Sequence, residues 1–230
     1  MKIEVADQYA VDALMFEFGP LHDQRYEIEK ILLDLPLKTG DILYRASNAL
    51  GPLNIPFSRI VADLTDSPYS HAAIALIVNN TPFVLEINDQ GTLLYRMIDW
   101  LDTCYTSEFS VYRLKDRVDE LKPEFEKQIK KILMDDPDYD FKFADPNKYY
   151  CTECVASIYE KIGVKLWEPM LIKDVVSPTM YWLLKVGNFA IGLFSDQCSL
   201  PFNEKMYFVG NEKKGMASSP LTYCVLHYKG

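Results

Sequence analysis

The first half of the chain has the hydrophobic pattern of short strands. Residues 71–78 (HAAIALIV) and 83–88 (FVLEIN) are apolar runs on either side of the turn-forming segment 79–82 (NNTP), a pattern typical of a β-hairpin. Three further segments predict strands: 40–44 (GDILY), 93–97 (LLYRM) and 109–114 (FSVYRL). We therefore expect a sheet of antiparallel strands in this part of the chain.

The pattern then changes to helical spacing. Residues 122–134 (KPEFEKQIKKILM) and 151–162 (CTECVASIYEKI) predict amphipathic helices, the second ending at Gly163. A further helix is predicted from about Gln24 and stops at Pro36, and two late segments, 206–210 and 221–228, look like strands. Strands followed by helices, rather than alternating with them, predict an α+β fold.

The most apolar window is residues 180–194 (MYWLLKVGNFAIGLF). It is shorter than the roughly 20 residues needed to span a bilayer, so no stable membrane insertion is expected. A buried core helix is the favoured interpretation. A pocket or lid for an acyl chain is the alternative.

Composition and charge narrow the class of protein. The 230 residues suit one large domain, and 33 acidic against 24 basic side chains give a net charge of −9. This balance argues against nucleic-acid binding and favours a partner with an amino group. The N-terminal segment has early acids and no apolar core. We therefore expect no signal peptide, a cytoplasmic location and reduced cysteines.

Cys151 is the candidate nucleophile among five cysteines. It lies at the first turn of a predicted helix, where free backbone N–H groups stabilise a thiolate and can also hold an oxyanion. An imidazole nearby would complete an activated pair, and His71 is the best placed of three histidines because it begins an apolar strand. The alternatives are a buried structural cysteine and a structural histidine at the core edge.

Glu86 and Asn88 are rival candidates for orienting His71. Folding the hairpin about residues 79–80 brings His71 opposite residues 86–88, and the two candidate side chains share one face of their strand. A carboxylate or amide beside an imidazole fixes its tautomer. The sequence does not determine the register, so both candidates stay open.

The sequence supports a metal site less well than a catalytic cysteine. Cys151 and Cys154 have a C-x-x-C spacing but lack the second pair that zinc requires, and Cys154 is expected in the core with the apolar side of its helix. The acidic run 135–140 (DDPDYD) lacks the pattern of a calcium loop. We therefore predict no metal and no cofactor.

Several segments together resemble a known family. They are GDILYR (40–45), SPYSHAAIAL (67–76), VLEINDQG (84–91), VYRL (111–114), YDFKF (139–143) and YYCTECVASIY (149–159). In their order and spacing they resemble the YiiX/YaeF-like cysteine hydrolases. These enzymes are permuted relatives of the NlpC-type peptidases within the papain-like fold.

The resemblance implies a circularly permuted papain-like domain, in which an antiparallel sheet or barrel packs against the helix that bears the cysteine. Its core would span about residues 38–163, with a helical extension (1–37) before it and an addition (164–230) after it, all in one domain. Cys151 would be the nucleophile, His71 the general base and Glu86 the orienting group. Ser70, Tyr150 and Asn88 would line the substrate cleft.

The implied activity is that of a thiol-dependent peptidase or amidase that cleaves an amide bond through a thioester. Substrates of this type include an N-acyl amino acid, an amino-acid amide or a cell-wall-type peptide. The related lecithin:retinol acyltransferase-like enzymes suggest a lipid acyltransferase or thioesterase as the alternative. A catalytically silent binding module is the third hypothesis.

Overall fold

The computed structural model describes residues 24–46, 62–63, 65–102, 108–140, 145, 147–192, 202–211 and 213–230. The eight strands in the described residues are β1 Ile42–Arg45, β2 His71–Val78, β3 Thr81–Asn88, β4 Gly91–Arg96, β5 Glu108–Leu114, β6 Met170–Leu171, β7 Lys205–Met206 and β8 Thr222–Lys229. The α-helices of this part are α1 Arg25–Asp34, α2 Met97–Asp102, α3 Lys122–Asp135, α4 Cys151–Lys161, α5 Ile172–Val175 and α6 Pro178–Gly192.

Six of these strands form one sheet in the order β4-β3-β2-β1-β5-β8, with every neighbouring pair antiparallel. Asn79 and Asn80 turn the chain between β2 and β3 with φ angles of 49° and 64°. Asparagine tolerates this left-handed region, which a two-residue hairpin turn requires. The predicted hairpin and the α+β class are confirmed.

Helices α3 and α4 cover one face of the sheet. The rings of Phe125 and Tyr159 meet edge to face at 4.9 Å, and the Tyr159 hydroxyl donates to the carbonyl of Gly40 at 2.5 Å. Gly40 has a φ of 98°, and a Cβ there would lie 2.6 Å from the Phe125 ring. Glycine before β1 therefore permits the close approach of the Phe125 ring of α3 to the sheet.

The opposite face of the sheet carries α1 and α2. Ile28 of α1 and Trp100 of α2 are fully buried there with Leu43, Ala73 and Val84. The alternation along β1, β2 and β3 thus divides the apolar side chains between two clusters, one on each face. Both faces are covered, so a polar side chain in a central strand must find its partners within the protein.

The C-terminal part of the chain completes the sheet. Strand β8 pairs with β5, and Val209 and Met216 lie in the same apolar cluster as α3 and α4. A core that ended near residue 163 would therefore lack an edge strand and part of its packing. Residues 206–210 were expected to form a strand, but only Lys205–Met206 does so, in a two-stranded pair with β6.

Helix α6 corrects the prediction of a buried core helix. Tyr181 and Leu184 pack inward on a small cluster that contains Tyr150, but Trp182 is 63% exposed and Leu183 is 50% exposed. The window is apolar all round, so its hydropathy predicts a helix but not which side is covered. No helix within the described ranges combines the length and apolar character needed to cross a bilayer.

Because this side of α6 is exposed, replacing a side chain on it should change the stability of the protein little. Trp182→Ser is expected to change the free energy of unfolding by less than about 0.5 kcal/mol, because the ring is already largely in solvent. Leu184→Ser, two residues further along the helix and on the inner side, should destabilise more. Urea titrations of both variants measure the difference, and equal losses would mean that Trp182 is also packed.

Candidate active site

His71 is the first residue of β2, where the sheet ends near the start of α4. Its neighbour across the ladder is Arg45, the last residue of β1. His71 is 4% exposed, so its imidazole is held by protein groups rather than by solvent. The predicted strand placed this histidine at the correct position, at the boundary between the turn-rich segment and the sheet.

Cys151 is the first residue of α4. Tyr150 before it is extended (φ −98°, ψ 166°), so the helix begins abruptly, and the carboxylate of Glu153 accepts a hydrogen bond from the Tyr150 N–H. A carboxylate at the third helical position is half of a capping box. The thiol consequently lies in the first turn, where helix N–H groups have no intrahelical partner.

The Cys151 thiol hydrogen-bonds to the His71 imidazole. Burial alone raises the pKa of the thiol, but the His71 charge and hydrogen bond, with the backbone N–H groups of Ala72 and Thr152, hold the pKa below its usual value. A thiolate is therefore favoured beside an imidazolium, which is the charge state of an activated nucleophile.

Glu86 is the group that contacts the far side of the imidazole. Its Oε2 lies 2.8 Å from His71 Nε2, which leaves Nδ1 as the ring nitrogen for the thiol. Asn88 does not take this place. Its Nδ2 donates to Glu86 Oε1 at 2.8 Å, so the amide supports the carboxylate. Of the two rivals for the orienting position, the structure brings Glu86 to the histidine.

Two further residues surround Glu86, and sequence reasoning missed both. Arg45 Nη2 lies 3.0 Å from Glu86 Oε2 and 3.3 Å from Oε1, and Trp100 Nε1 donates to Oε2 at 2.8 Å. Arg45 is part of the GDILYR segment, where a charge that closes a buried strand was the available signal. Trp100 belongs to a short helix that the pattern did not predict.

These contacts determine the charge of the buried site. Burial raises the pKa of Glu86, but the charges of Arg45 and His71 and the bond from Trp100 lower it well below its usual range. Burial lowers the pKa of His71, but the Glu86 carboxylate and Cys151 raise it to about 9. At neutral pH the site therefore holds an ionised carboxylate and a protonated imidazole.

The expected cleft residues lie beside this group. Ser70 is half-buried directly before His71, and its N–H donates to the carbonyl of Arg45 at 3.1 Å. Tyr150 is buried, and its hydroxyl accepts the N–H of Tyr207 at 2.8 Å. The Tyr150 hydroxyl thus helps hold the C-terminal segment against α4.

The other cysteines differ from Cys151. Cys154 is buried in the core, as expected, and burial raises the pKa of its thiol to about 12. Cys224 is exposed on β8. Cys104, Cys198 and His22 lie outside the described residues. Across the described ranges, no three side chains of His, Cys, Asp or Glu cluster in a way that could hold a metal ion.

Comparisons with known proteins identify the family and the fold. A family model described as "Permuted papain-like amidase enzyme, YaeF/YiiX, C92 family" matches residues 36–224. The uncharacterized protein YiiX of Escherichia coli (strain K12) is 26% identical over 153 residues, which cover 64% of this chain and 71% of that protein.

A solved structure shares the fold. The crystal structure of metalloprotein yiiX from Escherichia coli O157:H7 matches with a TM-score of 0.64 at 21% identity, over 84% of this chain and 98% of that one. The family match extends well past residue 163, as the sheet and its β8 strand require. This chain belongs to the YaeF/YiiX family of permuted papain-like amidases.

Proposed function

We propose that this protein hydrolyses an amide bond by covalent catalysis, with Cys151 as the nucleophile, His71 as the general base and acid, and Glu86 as the group that orients His71. The observation that carries the proposal is the continuous contact from thiol to imidazole to carboxylate, with 2.8 Å between His71 Nε2 and Glu86 Oε2. The amidase description of the family supports the reaction class.

In the acylation step, the Cys151 thiolate attacks the substrate carbonyl and the imidazolium of His71 protonates the leaving amine. This forms a thioester and releases the amine. In the second step, neutral His71 takes a proton from water, and the hydroxide attacks the thioester. The acid leaves, and the thiolate–imidazolium pair is restored.

The negative charge that develops on the substrate oxygen needs hydrogen-bond donors. The backbone N–H of Cys151 is the proposed donor, because it lies at the start of α4 where the helix dipole also favours negative charge. This N–H is part of the rigid helix, so its direction is set before the substrate arrives.

We propose an N-acyl amino acid, an amino-acid amide or a cell-wall-type peptide as the substrate. The net charge of −9 favours a ligand that carries an amino group. The partly buried apolar side chains that pack against Tyr150, among them Tyr181 and Leu184, are the proposed contact for an acyl chain. A panel of chromogenic p-nitroanilides of free and N-acylated amino acids tests both features.

The proposed reaction is derived without a metal step. The solved relative is titled a metalloprotein, but the oxygens of Glu86 in this chain are engaged by Arg45, Trp100, Asn88 and His71. A carboxylate offers roughly four lone-pair sites, and the contacts of these four residues occupy them. Glu86 therefore does not fit the role of a metal ligand.

A second candidate is acyl transfer from a lipid, or hydrolysis of a lipid thioester. The exposed apolar side of α6, which includes Trp182 and Leu183, favours it because such surfaces suit lipid contact. Incubation with a labelled phospholipid and an amine acceptor separates the two candidates. A labelled amide product would support acyl transfer, release of free acid without amide would support lipid hydrolysis, and an unchanged phospholipid would contradict this second candidate.

Labelling of thiols with iodoacetamide as a function of pH tests the proposed nucleophile. Cys151 should react at least about tenfold faster than Cys224 at neutral pH, because its thiolate is favoured below the usual thiol pKa.

The rate of amide hydrolysis should have a bell-shaped dependence on pH. It should rise as Cys151 loses its proton and fall as pH rises through about 9, where His71 loses the proton that the leaving amine needs.

Peptide mass spectrometry measures the labelling of each cysteine separately, so Cys224 is an internal control in the same sample. Labelling of Cys151 no faster than that of Cys224 at neutral pH would contradict the activated pair. It would favour a binding module that has kept the fold without the reaction.

A further inference from the structure

The carboxylate that orients His71 is itself held by a buried guanidinium. Arg45 is 4% exposed and Glu86 is 2% exposed, in the layer that also contains the fully buried Trp100. The strands β1, β2 and β3 are adjacent in the sheet, so Arg45, His71 and Glu86 meet on one face. A charge placed here is costly unless paired, which implies that the arginine has a specific role.

The contacts of Arg45 fix the carboxylate in one orientation. Its Nη2 bridges both oxygens of Glu86 at 3.0 and 3.3 Å, and its Nη1 donates to the carbonyl of Trp100 at 2.9 Å. The guanidinium carbon lies 4.4 Å from the centre of the Trp100 ring, and the indole N–H binds Glu86 Oε2 at 2.8 Å. Arginine and tryptophan thus close around the carboxylate and leave Oε2 aimed at His71 Nε2.

The charges of the group also balance. The thiolate of Cys151 and the carboxylate of Glu86 are two anions, and the imidazolium of His71 and the guanidinium of Arg45 are two cations. Tyr95 of β4 is also coupled to Glu86 and Arg45, but its pKa of about 12 keeps it neutral at working pH. Without Arg45, formation of the thiolate–imidazolium pair would leave the buried site with one uncompensated negative charge.

We propose that Arg45 is a positioning residue of the catalytic site, which aims the Glu86 carboxylate at His71 and supplies the positive charge that balances the buried thiolate. This inference rests on the proposed function, because it concerns the readiness of the same Cys151–His71 pair. It assigns to β1 a part of the site that neither the cysteine helix nor the histidine strand provides.

The pair of variants Arg45→Gln and Arg45→Lys tests this role. In Arg45→Gln the Cys151 thiol is expected to ionise at a pH higher by roughly 0.5–1 unit, because the thiolate is no longer balanced by a fourth charge. In Arg45→Lys the positive charge remains, so the labelling profile should keep its midpoint. A slower amidase rate is expected in that variant, because lysine has one nitrogen and cannot bind the Glu86 carboxylate and the Trp100 carbonyl with the geometry of the guanidinium. Identical midpoints in the wild type and both variants would overturn the proposal.

A second comparison uses a double variant in which neither Arg45 nor Glu86 is left as an unpaired buried charge. The chain has only three histidines, so the titration of His71 can be followed by proton NMR and assigned with His22→Gln and His227→Gln. In Glu86→Gln the imidazolium loses its anion and still faces Arg45, so the His71 midpoint should fall. In the double variant Arg45→Gln/Glu86→Gln the repulsion is also gone, so the midpoint should lie between those of Glu86→Gln and the wild type.

Equal midpoints in Glu86→Gln and the double variant would mean that Arg45 has no electrostatic link to His71, and the proposal would be wrong. The wild-type profile separates this failure from failure of the proposed function. If wild-type Cys151 labels as an ordinary thiol, the nucleophile assignment fails. If it labels as an activated thiol and the Arg45 variants leave both midpoints unchanged, only the role of Arg45 fails.

Discussion

Cys151→Ala is expected to abolish amide hydrolysis, with kcat/KM falling at least about 10⁴-fold. The reason is that the thioester route requires the thiol, and the remaining groups, His71 and the N–H at the start of α4, can only bind and polarise the substrate. Initial rates on the p-nitroanilide panel measure the loss, and the intact-mass shift of an accumulated acyl-enzyme should disappear at the same time.

Cys224→Ala is the matched control, because Cys224 is an exposed cysteine on β8. We expect this variant to hydrolyse the same substrates at the wild-type rate. A Cys151→Ala protein that folds normally and retains the wild-type rate would contradict the assignment of the nucleophile. Loss of activity in both variants would point instead to a general effect of removing thiols.

Glu86→Ala is expected to lower both stability and activity. It leaves Arg45 as a buried charge without its carboxylate and removes the acceptor of the Trp100 N–H, so the free energy of unfolding should fall by about 3–5 kcal/mol. It also frees His71 to rotate, and we expect kcat to fall by roughly 10³–10⁴-fold, as for other bases that lose their orienting acid.

The sign of the pH dependence follows from the pKa of Glu86. Because this pKa is lower in the folded protein than in the unfolded chain, the contribution of the ionised carboxylate is present above the unfolded value and is lost as pH falls. Urea titrations should therefore show the largest difference between wild type and Glu86→Ala near neutral pH. The difference should shrink towards strongly acidic solution.

Glu120→Ala provides the contrast for stability. Glu120 pairs with Arg117 at 3.0 Å on the surface, where both side chains are more than half exposed. Solvent screening makes such pairs contribute little, so no measurable change is expected. Equal destabilisation by Glu120→Ala and Glu86→Ala would mean that the buried Arg45–Glu86 pair contributes no more to stability than an exposed pair.

Local signals in the sequence were sufficient for the hairpin and for the two reacting residues. The asparagine pair marked the turn, the apolar run gave β2 its length, and the change to helical spacing placed Cys151 at a helix start. These features depend on residues close together in the chain. For the same reason the antiparallel pairing of β2 with β3 could be predicted without knowledge of the rest of the sheet.

The choice between Glu86 and Asn88 required the register and the tertiary contacts. Ile74 pairs with Leu85 in the ladder, and the carboxylate then reaches His71 because Arg45 and Trp100 hold it there. Arg45 precedes Glu86 by 41 residues and Trp100 follows it by 14. No local pattern connects residues at such separations, so the network that fixes the carboxylate could not be predicted.

The packing of the C-terminal part could not be predicted for a related reason. The alternation in 221–228 predicted a strand, but its pairing with β5 joins segments about a hundred residues apart. In α6 the apolar residues surround the helix, so the pattern contained no information on which side packs. The sequence therefore identified α6 and β8 without their neighbours.

The Cys151–His71 contact joins two parts of the chain with different folding requirements. His71 and Glu86 are 15 residues apart and meet through one hairpin, whereas Cys151 reaches them only when α4 docks on the sheet. In a molecule whose α4 has detached from the sheet, His71 would keep its contact with Glu86, but the pKa of the Cys151 thiol would return to the usual value of a cysteine. The reactivity of Cys151 is thus a chemical report on tertiary structure. A labelling rate that drops at lower urea than the loss of sheet signal would locate the first opening of the molecule at this helix.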